Sequence, residues 1–329
     1  MKVTGFNILI ENEESIDKLS IGGLTLAKNF TIPMAYGRVV QVGPGRFNTI
    51  HSKQIPPEIA VGDLVVYNPG VAKPITVNVK NAEGKNFKRQ VFKIEAKECI
   101  LVLNEADGKI CGIKSVKENY VLIKRDKTDK VTLGGIEIPE LKRTINNITG
   151  TVVVTGPGKY DSQKDQRQGC FAQPGDKVAF IEMQAIKLTI PVINENGVKT
   201  IETFYDVPDS ALDVLISTDK EGNMSSLKKI KDGHVLVQRD TGIKQTSTGI
   251  YLADEDKEGH LVEAKVIYLG DKLTSGVKVG DKIIYVDAKD NNKKFKLPIA
   301  GEDGKIVNQE CFILPESEIE VILDENESF

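Results

Sequence analysis

A chain of 329 residues carries 44 Lys and Arg against 47 Asp and Glu, a formal net charge of −3. That balance leaves no electrostatic footprint for nucleic acid or an anionic membrane. No run approaches the roughly 18 consecutive apolar residues of a membrane span. Trp is absent, Gly is plentiful at 29, and Val and Ile are frequent, the usage of short strands and turns.

The length suggests two domains or a little more, but a repeat overrides it. Gly22-Gly23-Leu24-Thr25-Leu26 returns as Gly134-Gly135-Ile136-Glu137-Ile138 and again as Thr248-Gly249-Ile250-Tyr251-Leu252. Each copy ends a polar stretch, and its two aliphatics project to one side of an extended chain. Three domains follow: 1–104, 118–217 and 233–329, separated by linkers at 105–117 and 218–232.

Repeat one opens on a strand, Phe6 to Ile10, followed by a polar loop and its apolar triplet. A Val-rich strand from Gly37 to Val42 then stops at Gly43-Pro44-Gly45. A polar excursion follows, and Val61-Gly62-Asp63 turns into Leu64 to Tyr67. A hairpin places Ile75–Val79 against Phe87–Phe92, and Glu98 to Leu103 closes the repeat. Gly108 and Gly112 mark the first linker.

Repeat two runs through Tyr120–Lys124, Gly150–Thr155, the turn at Gly175-Asp176, a hairpin within Leu188–Phe204, and Leu212–Ile216. Repeat three runs through His234–Gln238, Ala264–Leu269, Gly280-Asp281, a hairpin within Phe295–Phe312, and Ile319–Leu323. Gly43 to Gly62 and Gly156 to Gly175 each span 19 positions, but Gly270 to Gly280 spans 10. The third repeat therefore lacks the excursion. With no helical periodicity beyond a turn or two, each repeat reads as a small antiparallel barrel, three on a string.

The cysteines Cys99, Cys111, Cys170 and Cys311 form no C-x-x-C pair and do not match between repeats, so they read as reduced thiols. The first residues lack the apolar core of a signal peptide, and the expectation is a soluble cytoplasmic protein. His51, His234 and His260 stand apart from nucleophile or ligand partners. The acidic run Asp254–Glu258 lacks the Gly and terminal Glu of a calcium loop. No metal site, cofactor fingerprint or nucleophile elbow is read, and the chain is expected not to be an enzyme.

The order of landmarks, five of them repeated three times, resembles the GroES-like co-chaperonins, the ten-kilodalton lids of chaperonin rings. The resemblance implies an all-β chain of three tandem GroES-like antiparallel β-barrels. It implies a homo-oligomeric co-chaperonin that caps a GroEL-like chaperonin ring around unfolded client proteins and assists ATP-dependent folding, with no nucleic-acid or membrane partner. In that family the first loop is mobile and its triplet docks on the chaperonin. The chaperonin-binding residues are then Leu24, Thr25, Leu26, Ile136, Glu137, Ile138, Ile250, Tyr251 and Leu252. Gly22, Gly23, Gly134, Gly135 and Gly249 read as loop hinges or, equally, as ordinary turns. The excursions at Arg46–Ala60 and Lys159–Gln173 resemble the family's roof hairpin. Thr25, Glu137 and Tyr251 stand where a small aliphatic is usual. Two other readings are a structural or scaffolding protein, for instance in a viral particle, and a zinc-dependent dehydrogenase with a GroES-like catalytic domain. The latter requires a nucleotide-binding domain and clustered Cys and His ligands, which the sequence does not offer.

Overall fold

The computed structural model describes residues 2–12, 34–80, 84–106, 109–126, 132–133, 136–137, 147–181, 184–193, 199–218, 224–239, 261–286, 293–300 and 306–324. Repeat one contains β1 (Asn7–Asn12), β2 (Ala35–Val42), β3 (Arg46–Asn48), β4 (Lys53–Ile55), β5 (Leu64–Tyr67), β6 (Lys73–Lys80), β7 (Asn86–Glu95) and β8 (Cys99–Ala106), followed by β9 (Lys109–Val116). Repeat two contains β10 (Tyr120–Arg125), β11 (Thr132–Leu133), β12 (Ile136–Glu137), β13 (Asn147–Thr155), β14 (Lys159–Asp161), β15 (Gln166–Gln168), β16 (Lys177–Ile181), β17 (Ile186–Ile193), β18 (Lys199–Pro208) and β19 (Val214–Thr218), followed by β20 (Met224–Ile230). Repeat three contains β21 (His234–Arg239), β22 (Leu261–Leu269), β23 (Lys282–Val286), β24 (Lys293–Ala300), β25 (Ile306–Pro315) and β26 (Ile319–Leu323). The chain is all-β, and its strand ladders are antiparallel. Among the described residues, no helix is long and apolar enough to cross a membrane.

Two compact units form. The first comprises Met1–Arg125, Val152–Gly175 and Ala185–Asp209. Its largest sheet runs β6-β7-β1-β2-β5-β8-β9, and β17, β18 and β10 lie side by side in that order. The alternation along β5 and β8 supplies two cores at once, because successive side chains face opposite sides of the sheet. Val65, Tyr67 and Val102 point inward onto Ile8, Ile10 and Ile94. Val66, Leu101 and Leu103 point outward and pack with Leu122, Leu188 and Phe204 of repeat two. Burying each of these large side chains stabilises by about 1.5–3 kcal/mol. The two repeats therefore share a core in this unit. The reason is that β5 and β8 are apolar on both faces.

The second unit comprises Asp126–Thr151, Asp176–Gln184 and Ser210–Phe329. In it β13, β16, β19 and β20 lie side by side, and a six-stranded sheet runs β24-β25-β21-β22-β23-β26. The same arrangement recurs: Ala179, Val214 and Ile216 pack against Leu236, Phe295, Leu297 and Ile313.

The two stretches read as linkers are strands in large part. β9 pairs with β8, joining Leu101 to Val116, and β20 pairs with β19, joining Val214 to Ile230. Each arm strand covers the otherwise open edge of the closing strand before it. Each also places a lysine on the aspartate of the Gly-Asp turn: Lys114 Nζ lies 2.8 Å from Asp63 Oδ1, and Lys228 Nζ lies 2.5 Å from Asp176 Oδ1.

In the first unit, fully buried Asp206 on β18 lies 2.9 Å from Lys117 Nζ. Burial pushes its carboxyl up to about 6, and the lysine only partly opposes this. Between about pH 4, the ordinary aspartate range, and pH 6 the folded state binds the extra proton. The stabilising contribution of this group is therefore full at the acid end and lost as pH rises through 6. Asp206→Asn is expected to flatten that part of the stability profile by up to about 3 kcal/mol. Urea unfolding across the window checks it, and an unchanged slope would place the titration elsewhere.

Candidate functional site

Three long connections leave the sheets at equivalent places. Residues 13–34 join β1 to β2, 126–146 join β10 to β13, and 240–260 join β21 to β22. In the first and third repeats the strands at the root pair with each other, Asn12 with Gly37 and Arg239 with Ala264. In the second, Asp126 N donates to Thr149 O at 3.0 Å, and Lys177 Nζ lies 3.2 Å from Asp126 Oδ2. The connections therefore begin and end on adjacent strands, which returns each chain to its starting edge.

A buried tyrosine fastens two of the three roots, a feature that sequence reasoning missed. The Tyr67 hydroxyl donates to Asn12 Oδ1 at the last residue of β1, and burial pushes this phenol up to about 12. At the equivalent position of repeat three, the Tyr285 hydroxyl accepts from Arg239 Nε at 2.7 Å. The Arg239 guanidinium also lies 3.8 Å from the Phe312 ring centroid, a cation–π contact. Repeat two has Phe180 instead, fully buried. A tyrosine directly after the aliphatics of the Gly-Asp strand, Val65-Val66 in repeat one and Ile283-Ile284 in repeat three, was the signal that could have found this.

Ion pairs beside two roots run in opposite senses. Glu11 on β1 pairs with Arg89 on β7, which lowers the Glu11 carboxyl chiefly through the hydrogen bond from Arg89. Lys124 Nζ on β10 pairs with Glu202 on β18 at 2.7 Å. Both pairs are half exposed, so they set register and contribute little stability.

Of the expected docking residues, Leu24, Thr25, Leu26, Ile138, Ile250, Tyr251 and Leu252 lie outside the described residues, as do Gly22, Gly23, Gly134, Gly135 and Gly249. Ile136 and Glu137 are described, and they form β12. Among the described residues β12 pairs with β11 alone, Thr132 with Glu137 and Leu133 with Ile136, in a two-stranded ladder separate from the main sheets.

The expected excursions of repeats one and two are hairpins. Arg46 pairs with Ile55 and Asn48 with Lys53, and Lys159 pairs with Gln168 and Asp161 with Gln166. In the first unit these two hairpins lock together through polar contacts. Buried Asn48 donates through Nδ2 to Tyr160 Oη at 3.0 Å and to Ser162 O at 2.9 Å. Tyr160 Oη in turn donates to Asp165 Oδ1 at 2.5 Å. Lys53 Nζ lies 3.1 Å from Asp165 Oδ2, and the two partners together hold the Asp165 carboxyl below its ordinary value. In repeat three the segment from Gly270 to Asp281 contains no strand.

The chain matches the family described as Chaperonin 10 Kd subunit over residues 1–104, 113–199 and 227–323. With strand order, loop roots and hairpins repeated on that same period, the chain belongs to this family, as three tandem domains.

Proposed function

We propose that this protein is a co-chaperonin that caps a GroEL-like chaperonin ring through the three long connections and encloses unfolded clients indirectly. ATP turnover belongs to the chaperonin, and the chain itself carries no catalysis and needs no cofactor. The observation that supports this best is positional. All three Gly-aliphatic triplets fall in the connection between the first and second strands of a Chaperonin 10 Kd repeat. The ladder made by β11 and β12 stands apart from the barrel strands, as a hook on a loop requires.

The energetics suit a weak contact used in number. Burying two aliphatic side chains contributes about 1.5–3 kcal/mol each. Ordering the loop costs on the order of 1 kcal/mol for each residue that loses its freedom. One hook is close to break-even, and several on one assembly bind tightly yet let go. The reading places the protein in the cytoplasm as a homo-oligomer, with two chains supplying six hooks in one ring. Native mass spectrometry of the chain with a chaperonin, with and without ATP, tests it. A nucleotide-dependent complex holding two chains per chaperonin ring end is expected. No bound chain under any nucleotide condition would return the protein to a scaffolding role.

A further inference from the structure

The two internal junctions between repeats share an apolar design but differ in charge. Each arm strand is followed by a lysine whose backbone docks in the same way: Lys117 N donates to Ile100 O at 3.2 Å, and Lys231 N to Asp213 O at 2.9 Å. The side chains then part. Lys231 stays with repeat two, where its Nζ donates to Ser210 O at 2.9 Å and lies 3.9 Å from Asp213 Oδ1. Lys117 has no such carboxylate in repeat one, because Ile100 stands where repeat two has Asp213. Its ammonium reaches across to repeat two, 2.9 Å from Asp206 Oδ2 and 3.7 Å from the Tyr120 ring centroid. Asp206 and Tyr120 together make a small lysine cage, a carboxylate and an aromatic face. Asp206 is fully buried, and its other oxygen, Oδ1, accepts no hydrogen bond among the described residues. Without Lys117 this carboxylate would be buried alone, which is costly.

The other two long hairpins offer no such cage. Leu122, the third residue of β10, pairs with Asp206. The third residues of β1 and β21, Leu9 and Leu236, pair with Lys93 and Ile313. Tyr120, the first residue of β10, has Asn7 and His234 as its counterparts. The apolar residues beside these positions are alike: Leu188 and Phe204 on the β17–β18 hairpin, Phe295 and Cys311 on the β24–β25 hairpin. Apolar contact alone would therefore let the β9 arm settle on either hairpin, in its own chain or in another copy, the misassembly to which tandem repeats are prone.

We propose that Asp206 and Tyr120 form a recognition site for the Lys117 side chain, and that this site, rather than the apolar contact, selects repeat two as the neighbour of repeat one. On the β24–β25 hairpin Lys117 would meet Ile313 in place of a carboxylate. On the β6–β7 hairpin it would meet the like charge of Lys93. Both wrong pairings are penalised, and specificity is that difference. Lys231 makes no such demand on its hairpin, because Asp213 and Ser210 of repeat two already hold it, so an apolar surface suits it.

The test separates selection from stability. Val116→Cys puts a thiol on the β9 arm, and Cys311 is the native thiol of the wrong hairpin, in one cluster with Ile230, the counterpart of Val116. The full chain is unfolded in urea and refolded at neutral pH in a glutathione redox buffer, and its disulfides are mapped by mass spectrometry. With Lys117 and Asp206 in place, the arm thiol is expected to stay unlinked to Cys311. With Lys117→Met and Asp206→Leu added, linkage to Cys311, within or between chains, is expected to rise by about tenfold or more. Equal linkage in the two backgrounds, low or high, would overturn the proposal. Amide exchange at Val116, in chains without the added thiol, checks that the apolar pair still folds. Lys117→Met alone, which leaves Asp206 buried without a cation, is expected to quicken exchange by about a hundredfold, and Asp206→Leu added to it to bring exchange back within about tenfold of wild type. Exchange unchanged by Lys117→Met, or no recovery in the double variant, would make the pair a bystander or a brace instead of a selector and would also overturn it.

Discussion

Gly156→Ala is expected to destabilise the protein by about 3 kcal/mol or more, against about 1–2 kcal/mol for Gly175→Ala. Both glycines belong to the repeated landmarks, but their physics differs. A Cβ at Gly156 would stand 2.2 Å from Lys117 O and 3.2 Å from Tyr120 O. Those atoms are backbone, held in place by the bond from Gly156 N to Tyr120 O at 2.8 Å, so nothing there can yield cheaply. Gly43 and Gly270 face the same obstruction, at 2.3 Å from Gly5 O and 2.2 Å from Lys231 O. At Gly175 the requirement is conformational: φ is +91° and no atom lies within 4 Å of the added carbon. Chemical unfolding of the two single variants measures the difference. Equal losses would mean that the segment before β10 moves aside, and the close approach would then not be what retains the glycine.

The succession of strands along the chain and the hairpins were legible because both depend on local chemistry. The alternation Ile75, Val77, Val79 against Phe87 to Val91 predicts the pairing found, Val79 with Phe87 and Ile75 with Val91. The shortened Gly270–Gly280 spacing likewise predicts the missing hairpin. The arm strands were not legible, for a physical reason. The β8–β9 ladder shifts register at Val102/Leu103 and Asn104/Glu105, so the inward residues Ile110 and Ile113 fall three apart and break the period of two. β20 does the same, with shifts at Leu215/Ile216 and Ser217/Thr218 and with Leu227 and Ile230 three apart. Gly108 and Gly112 then read as punctuation. The shared cores were hidden because an apolar strand looks the same whether one face or both are covered. The Tyr67–Asn12 and Tyr285–Arg239 fastenings join strands far apart in sequence, and only the sheet order brings them together.

Ile136→Asp combined with Ile138→Asp is expected to weaken chaperonin binding by about a hundredfold or more, while moving the unfolding temperature by less than about 2 °C. The first expectation follows from the proposed docking. The double change removes two aliphatic side chains worth about 1.5–3 kcal/mol each and presents two carboxylates to an apolar groove. The second follows from topology, since among the described residues Ile136 pairs only with Leu133 in the two-residue ladder, and β11 and β12 belong to no larger sheet. The same double change at Leu24 with Leu26, and at Ile250 with Leu252, ranks the three hooks. If all three serve one ring, any single pair weakens capping and the triple variant abolishes it, because the remaining hooks supply the effective concentration. Binding to an immobilised chaperonin in ATP gives the first quantity, and a thermal melt of the same sample gives the second. A melt lowered as far as a core substitution lowers it would show that the triplet is part of the barrel, and the docking role would pass to another segment of the connection.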